Sequence, residues 1–418
     1  MSSVLPRGRF TRSVAVLAGG TALGQAITVL VSPVLTRLYS PEDFGVLAVY
    51  SSILGILSVV ASWRYELAIP LPEKDEDAIN LLALSLGIVV LMSLLVSFGL
   101  WHLSDQIVRW AKVPALRPYV WLLPIGLLLV GSYQVFNYWA VRKHAFSSIA
   151  RTKLYQGFGT AFSQIGGGFL TSGPLGLIIG QIVGQCAGII TLVKLYRNHE
   201  NSLEFDFAKC TNLAKRYRRF PMLSTWPAFV NAVGTQLPVI ALSAAHGTQV
   251  TGWFSLAIKV FAFPLSIISV STSQVLMGQA ATYKRLPREL QLLFWKVIRQ
   301  QCLLGLPLLL LIPINPVIFP LIFGQEWRTS GIYAAIWLPS LVATFIATPT
   351  GAFLDVLERQ DIFLLREAFR VAILGGVAAV SVLLKVKPLI MLSMLSGATV
   401  IFAFIYAWLS LYAIKREG

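Results

Sequence analysis

Residues 13–70, SVAVLAGGTALGQAITVLVSPVLTRLYSPEDFGVLAVYSSILGILSVVASWRYELAIP, decide the fold. They read as two apolar segments joined by the charged turn LTRLYSPEDFG (35–45). Each segment is long enough to cross a hydrocarbon core of about 30 Å as a helix. Residues 220–279 repeat the arrangement more weakly, with two apolar segments joined by AHGTQVTG (245–252). Setting Gly45 on Gly252 brings GVLAVYSSI against GWFSLAIKV, so small and apolar residues fall at matching positions. The chain reads as a duplication: two like-oriented, pseudo-symmetric bundles of membrane helices around a central cavity.

The rest of the chain has the same character. Of 418 residues, 56% are hydrophobic and 12% charged, and the mean hydropathy is +0.72. This is an all-α polytopic membrane protein, because in lipid the backbone must satisfy its own hydrogen bonds. The net charge of +16 does not point to nucleic acid, since the lysines and arginines lie between apolar segments rather than on one solvated domain. Cys186 and Cys302 sit in apolar segments and Cys210 in a basic loop, with neither disulfide nor metal spacing. The opening MSSVLPRGRFTRSV, with Arg7, Arg9 and Arg12 before an apolar run, has no small-residue cleavage pattern and reads as the start of a retained helix.

Twelve spans are expected, at about 13–36, 44–70, 78–101, 119–141, 149–171, 174–195, 222–244, 251–277, 292–313, 332–355, 366–384 and 389–414. The loops on the terminal side hold 25 Lys and Arg, against 7 on the opposite side, so both termini are expected in the cytoplasm. That count takes Lys153, Arg366 and Arg370 as loop residues. The expected domains are an N-terminal six-helix lobe (1–196), a basic cytoplasmic linker ending in KRYRRF (197–219) and a C-terminal six-helix lobe (220–418). A second echo, RPYVWLLPIG against GIYAAIWLPSL with Pro124 and Pro339 in register, supports the duplication.

Little in the chain suits an enzyme. No lysine follows a glycine, which excludes the P-loop pair, and HExxH, CxxC and GxSxG are absent. His102, His144, His199 and His246 all fall in loops or at span ends, where a solvated histidine is the ordinary case. External loops are short, and no cytoplasmic loop could hold a nucleotide-binding domain. Any activity must lie within the membrane helices.

Ionisable residues inside a span cost about 2.5–3.5 kcal/mol each at a helix centre, so each needs a reason. Lys259 lies about two turns inside the eighth span, on a stripe of Ser255, Lys259, Ala262, Ser266, Ser269 and Ser273. Such a stripe either packs on a neighbouring helix with the lysine snorkelling, or faces a watery cavity. The first span carries Thr21, Gln25, Thr28 and Ser32, followed by Pro33 and Arg37; the seventh carries Asn231 and Thr235. In a continuous second helix over 44–70, Glu66 lies near a face of Ser51, Gly55, Ser58 and Ser62, while Arg64 points to nearly the opposite side. Glu66 and Asp355 are the acids placed near the membrane, and both are candidates for coupling to H+ or Na+. The membrane potential is a further source of drive.

LTRLYSPEDFGVLAVYSSI followed by WRYELAIPLP and an acidic turn, with the later LIFGQEWRTSGIYAAIWLP and LERQDIFLL, resembles polysaccharide-transport flippases of the Wzx, or O-antigen, type. These belong to the MOP exporter superfamily together with MATE drug exporters and the lipid II flippase. The resemblance implies a two-lobed, twelve-helix fold whose first, second, seventh and eighth helices border a cavity. It further implies Arg37, Arg64 and Lys259 as candidates to hold the pyrophosphate of an undecaprenyl-linked oligosaccharide, with interfacial anchoring the alternative for Arg37 and Arg64, while Gln25, Thr28, Asn231, Thr235, Ser255 and Ser266 are the candidates to contact sugar. One departure is that Ser271 stands in the second hairpin where Arg64 stands in the first.

The expected function is transfer of a surface-polysaccharide repeat unit across the bacterial inner membrane by alternating access. No resident cofactor is expected. Expected partners are the lipid-linked glycan and membrane lipids, with a polysaccharide polymerase and a chain-length regulator as further candidates. A MATE-like cation-coupled drug exporter and a membrane enzyme of glycan assembly are the alternatives.

Overall fold

A computed structural model describes residues 7–111, 113–199, 206–284, 286–357 and 359–416. The chain divides into two units, residues 1–232 and 233–418. The first contains α1 (Arg7–Leu30), α2 (Ser32–Leu38), α3 (Pro41–Val60), α4 (Asp75–Ala111), α5 (Leu122–Arg142), α6 (Phe146–Leu170), α7 (Leu175–Cys186), α8 (Ile189–His199) and α9 (Phe207–Arg216). The long α10 (Thr225–Thr282) begins in the first unit and ends in the second. The second unit continues with α11 (Pro287–Gly305), α12 (Asn315–Phe323), α13 (Arg328–Ala347), α14 (Gly351–Val356), α15 (Gln360–Leu383) and α16 (Pro388–Arg416). Among the described residues there is no strand, and eight helical stretches are long and apolar enough to cross a membrane. The protein is a multi-pass, all-helical membrane protein.

Local sequence sets the helix ends. At the turn 35–45, Ser40 caps α3: its hydroxyl accepts from the Asp43 amide at 3.2 Å, and the Asp43 carboxylate accepts from the Ser40 amide at 2.9 Å. This reciprocal pair satisfies two amides that a helix start leaves open, and Pro41 fits the first turn because it lacks the N–H. The single span expected over 44–70 is not one helix. α3 stops at Val60, the chain passes through left-handed φ at Trp63 (50°) and Arg64 (64°), and a short 3-10 turn covers Tyr65–Ala68.

In the second copy of the hairpin the turn shrinks to one residue. Gly247 has φ 84° and ψ −176°, and helix continues on both sides of it within α10. An added Cβ there would meet nothing within 4 Å. Glycine is therefore needed for its backbone conformation and not for space.

Glycine seams pack the first unit. A Cβ on Gly24 of α1 would stand 2.2 Å from the Lys153 carbonyl oxygen of α6, and one on Gly157 the same distance from the Gly24 oxygen. Gly167 meets Gly176 and Gly184 meets Thr160 in the same way between α6 and α7. Lipid tails are as apolar as leucine, so close backbone approach supplies the attraction that solvent exclusion cannot.

The basic segment expected to be a linker, 197–219, is partly built into the first unit. Asp206 caps α9 by accepting from the Ala208 amide at 2.9 Å, and Lys209 Nζ lies 2.6 Å from Glu76 Oε1. The Tyr65 hydroxyl donates to the Ala214 carbonyl at 3.1 Å. The division between units falls after this segment, at Ala232 and Val233. Beside it, Arg142 donates to Asp75 Oδ1 at 2.8 Å and to the Pro72 carbonyl at 2.6 Å, tying the end of α5 to the start of α4.

Candidate functional site

The part of α10 beyond Gly247 carries Ser255 and Lys259 one turn apart. Ser255 donates to the Gly252 carbonyl at 2.9 Å, so its hydroxyl is engaged by its own helix. Lys259 is half-buried, and among the described residues its ammonium has neither a hydrogen bond nor a carboxylate partner. Further on the stripe divides. Ser266 is exposed, whereas Ser269 is buried and donates to the Phe345 carbonyl of α13 at 3.3 Å. Ser269 thus packs on α13, while Lys259 is half-buried and Ser266 exposed.

A second site lies on α15. Arg366 and Glu367 are 6% and 1% exposed, and Glu367 bridges two arginines. One carboxylate oxygen meets Arg366; the other lies 2.7 Å from Arg370 Nη2. The Arg366 guanidinium lies 3.7 Å from the centre of the Tyr406 ring of α16, and Arg370 lies 5.9 Å from that of Phe402. Gly351 of α14 leaves room for the Tyr406 hydroxyl, since a Cβ there would stand 1.8 Å from it. Arg370 also donates to Thr235 Oγ1 of α10 at 3.3 Å. Asp355 of α14 also interacts electrostatically with Arg366, so the cluster gathers two arginines, two carboxylates and aromatic faces in the second unit.

The other residues singled out in the sequence are scattered. Arg37 is exposed and donates to the Pro33 carbonyl of its own helix. Gln25 is exposed, and its backbone carbonyl accepts from Thr28 Oγ1 at 2.7 Å. Asn231 is half-buried near the start of α10, and Asp355 is exposed on α14. Arg64 and Glu66 do not point apart. Glu66 is buried, accepts from the Ser62 hydroxyl and lies 3.9 Å from Arg64 Nη1. Loss of helix after Val60 brings them together. The structure thus joins Arg64 to Glu66, Thr235 to Arg370 and Asp355 to Arg366, and leaves Lys259 apart.

Sequence reasoning missed Arg366, Glu367 and Arg370. Their signal was an R-E-x-x-R run at i, i+1 and i+4, with acid and base one turn apart on a helix. Among the described residues no three His, Cys, Asp or Glu side chains converge as a metal site would require.

Residues 34–331 match the family model described as polysaccharide biosynthesis protein. The chain belongs to that family. It is 24% identical over 350 residues to the lipopolysaccharide biosynthesis protein WzxC of Escherichia coli (strain K12), covering 79% of this chain and 66% of that relative. Among solved structures, the lipid II flippase MurJ in an inward closed conformation superposes with a TM-score of 0.75 at 11% identity, over 96% of this chain and 89% of that one. An inward-facing multidrug resistance MATE family transporter of the MOP superfamily gives a TM-score of 0.72 at 14% identity, over 95% of each chain. The fold is therefore that of MOP superfamily transporters. The family match begins next to the Ser40–Pro41 cap and takes in Lys259; α15, with its Arg–Glu–Arg cluster, lies beyond it.

Proposed function

We propose that this protein is a flippase that moves an undecaprenyl-pyrophosphate-linked oligosaccharide from the cytoplasmic to the outer leaflet of the bacterial inner membrane by alternating access. The observation that carries this reading is Lys259, a cation on a membrane helix with no carboxylate partner among the described residues, in a chain of the polysaccharide biosynthesis family. An unpaired ammonium is costly in lipid and becomes useful when an anionic head group supplies the missing charge. A pyrophosphate fits that demand, whereas a cationic drug does not. The glycan exchanges water for protein hydrogen bonds along a polar path while the polyprenyl tail stays among the acyl chains.

Both termini are placed in the cytoplasm by this reading. A cytoplasm-negative potential then favours outward movement of anionic charge by about 2.3 kcal/mol per charge per 100 mV. Protons or sodium, bound near Glu66 or Asp355, are alternative sources of drive.

The test is reconstitution in liposomes with a fluorescent undecaprenyl-pyrophosphate oligosaccharide, scoring transfer between leaflets with and without an imposed potential. Protein-dependent transfer is expected. Absence of transfer together with ion-coupled efflux of a cationic dye would replace this reading with that of a drug exporter.

A further inference from the structure

We propose that Lys153 of α6, with the side-chain amides of Gln156 and Gln185, forms a binding site in the first unit for an anionic oxygen group, a phosphate or a carboxylate. The proposal takes from the flippase reading only the identity of the molecule that carries this group.

Lys153 stands in the second turn of α6 and is half-buried. Its ammonium lies 4.9 Å from the centre of the Tyr133 ring of α5 and 3.2 Å from Gln156 Oε1. Among the described residues it meets no carboxylate. An ammonium has three donors, and one is used here. The Lys153 ammonium is held by Gln156 of the next turn and does not end in water.

The surroundings are arranged around a break in the neighbouring helix. α7 ends at Cys186, and the chain passes through Gly188 at φ 93° before α8 begins at Ile189. Gln156 Nε2 donates to the Gln185 carbonyl at 2.8 Å and so holds the broken end. The side-chain oxygen of Gln185 is buried without a hydrogen-bond partner. A half-turn of that amide would present two N–H donors instead. Thr152, beside Lys153, bonds the Tyr133 hydroxyl at 2.8 Å, and α1 lies directly over the Lys153 carbonyl at Gly24. Broken membrane helices expose polar backbone where substrates and ions bind. Here the Gln156 amide links a cation lacking an acid to such a break, and the broken end carries the unpartnered amide of Gln185.

Two sources of the anion suit this chemistry: the pyrophosphate of the carrier lipid and an acidic sugar of the glycan. The test is titration calorimetry on the full chain in detergent, with inorganic pyrophosphate and glucuronate as separate probes. Wild type is expected to bind one of them. Lys153→Met should weaken that binding by about tenfold or more, while Lys153→Arg keeps it within about threefold. Gln185→Ala should weaken it too, and the thermal midpoint of Lys153→Met should not fall, as it would for a merely structural lysine. Pyrophosphate binding assigns the site to the carrier lipid; glucuronate binding assigns it to the sugar. Wild type that binds neither probe, or Lys153→Met that binds as wild type does, overturns the proposal. Transfer in liposomes is read separately. If wild type transfers the lipid-linked glycan and Lys153→Met transfers it equally well, this site is wrong and the flippase reading stands. If wild type transfers nothing while Lys153→Met loses probe binding, the reverse holds.

Discussion

Arg64 Nη1 stands 3.9 Å from Glu66 Oε1 because two successive left-handed residues, Trp63 and Arg64, turn the chain after α3 ends at Val60. Left-handed φ is costly for side chains of this size. The buried carboxyl of Glu66, with the Ser62 hydroxyl and Arg64 around it, is what the turn builds.

That carboxyl titrates abnormally. Glu66 lies outside the helical spans, between Val60 and Asp75, and burial pushes its pKa above the ordinary glutamate value, outweighing the opposing pull of Ser62 and Arg64. The folded protein therefore holds this proton more tightly than the unfolded chain does. Its contribution is fully present below the unfolded pKa and is lost as pH rises through the raised folded pKa. Glu66→Gln mimics the protonated form. Its thermal midpoint in detergent should exceed that of wild type at pH 7, and the gap should close toward pH 4. A variant less stable than wild type at pH 7, with a deficit that shrinks on acidification, would show a carboxylate stabilised by Arg64 instead.

Lys259 has no carboxylate to satisfy among the described residues, so removing its charge should not leave a buried partner behind. Lys259→Ala is expected at near-normal protein level with transfer reduced roughly 10- to 100-fold, the equivalent of a charged hydrogen bond of about 1.5–3 kcal/mol. Lys259→Arg should recover part of the rate. Normal transfer by the alanine variant would leave snorkelling as the better account of this residue.

The Arg–Glu–Arg cluster makes an asymmetric prediction. Arg370→Met leaves Glu367 still paired with Arg366, whereas Glu367→Gln removes the carboxylate that both arginines share. Breaking a buried pair typically costs about 3–5 kcal/mol. Glu367→Gln should therefore lower the thermal midpoint and the protein level clearly more than Arg370→Met. The opposite order would mean that the cluster is organised around Arg370 and its contact with Thr235.

The seam between α1 and α6 can be tested with one methyl group. Gly24→Ala places a Cβ against the Lys153 carbonyl and should destabilise by about 1–3 kcal/mol as the helices part. Gly87→Ala on exposed α4, where a Cβ meets nothing, should stabilise by about 0.5–1 kcal/mol. Thermal unfolding of the two variants gives the comparison directly.

Much of the architecture could be read from the apolar segments, because length and apolarity in lipid leave the helix as the natural solution for each. The turns at Ser40–Pro41 and Gly247 were legible from their own residues. The turn at Trp63–Arg64 was not, since no glycine or proline marks it and the bonds that hold it, such as Tyr65 amide to Ser62 carbonyl at 3.1 Å and Ser62 hydroxyl to Glu66, form only once the chain has turned. The charged residues misled for another reason. Lys153, Arg366 and Arg370 fall near apolar boundaries and so read as loop cations. Part of their relief is local and open to spacing, from Gln156 for Lys153 and Glu367 for the two arginines. The rest comes from residues far away in sequence, Tyr133 for Lys153, Tyr406 for Arg366 and Thr235 for Arg370, which spacing along one helix cannot reveal.

The topology is a last and independent test. The cation excess of 25 against 7 is the ground for expecting the termini in the cytoplasm. Lys153, Lys296, Arg299, Arg366 and Arg370 now leave that count for helix interiors, yet the basic segment from Lys209 to Arg219 keeps the terminal side ahead. If both halves share one orientation, the break at Gly247 faces the opposite side from residue 199. Gly247 itself should not be replaced, because its φ of 84° would strain any other residue. Single cysteines are therefore placed at His199 and Thr248 in a chain freed of its own three. A membrane-impermeant maleimide applied to intact cells should label Thr248→Cys at once and His199→Cys only after the membrane is opened. The reverse pattern would invert the protein and with it the direction of the proposed transfer.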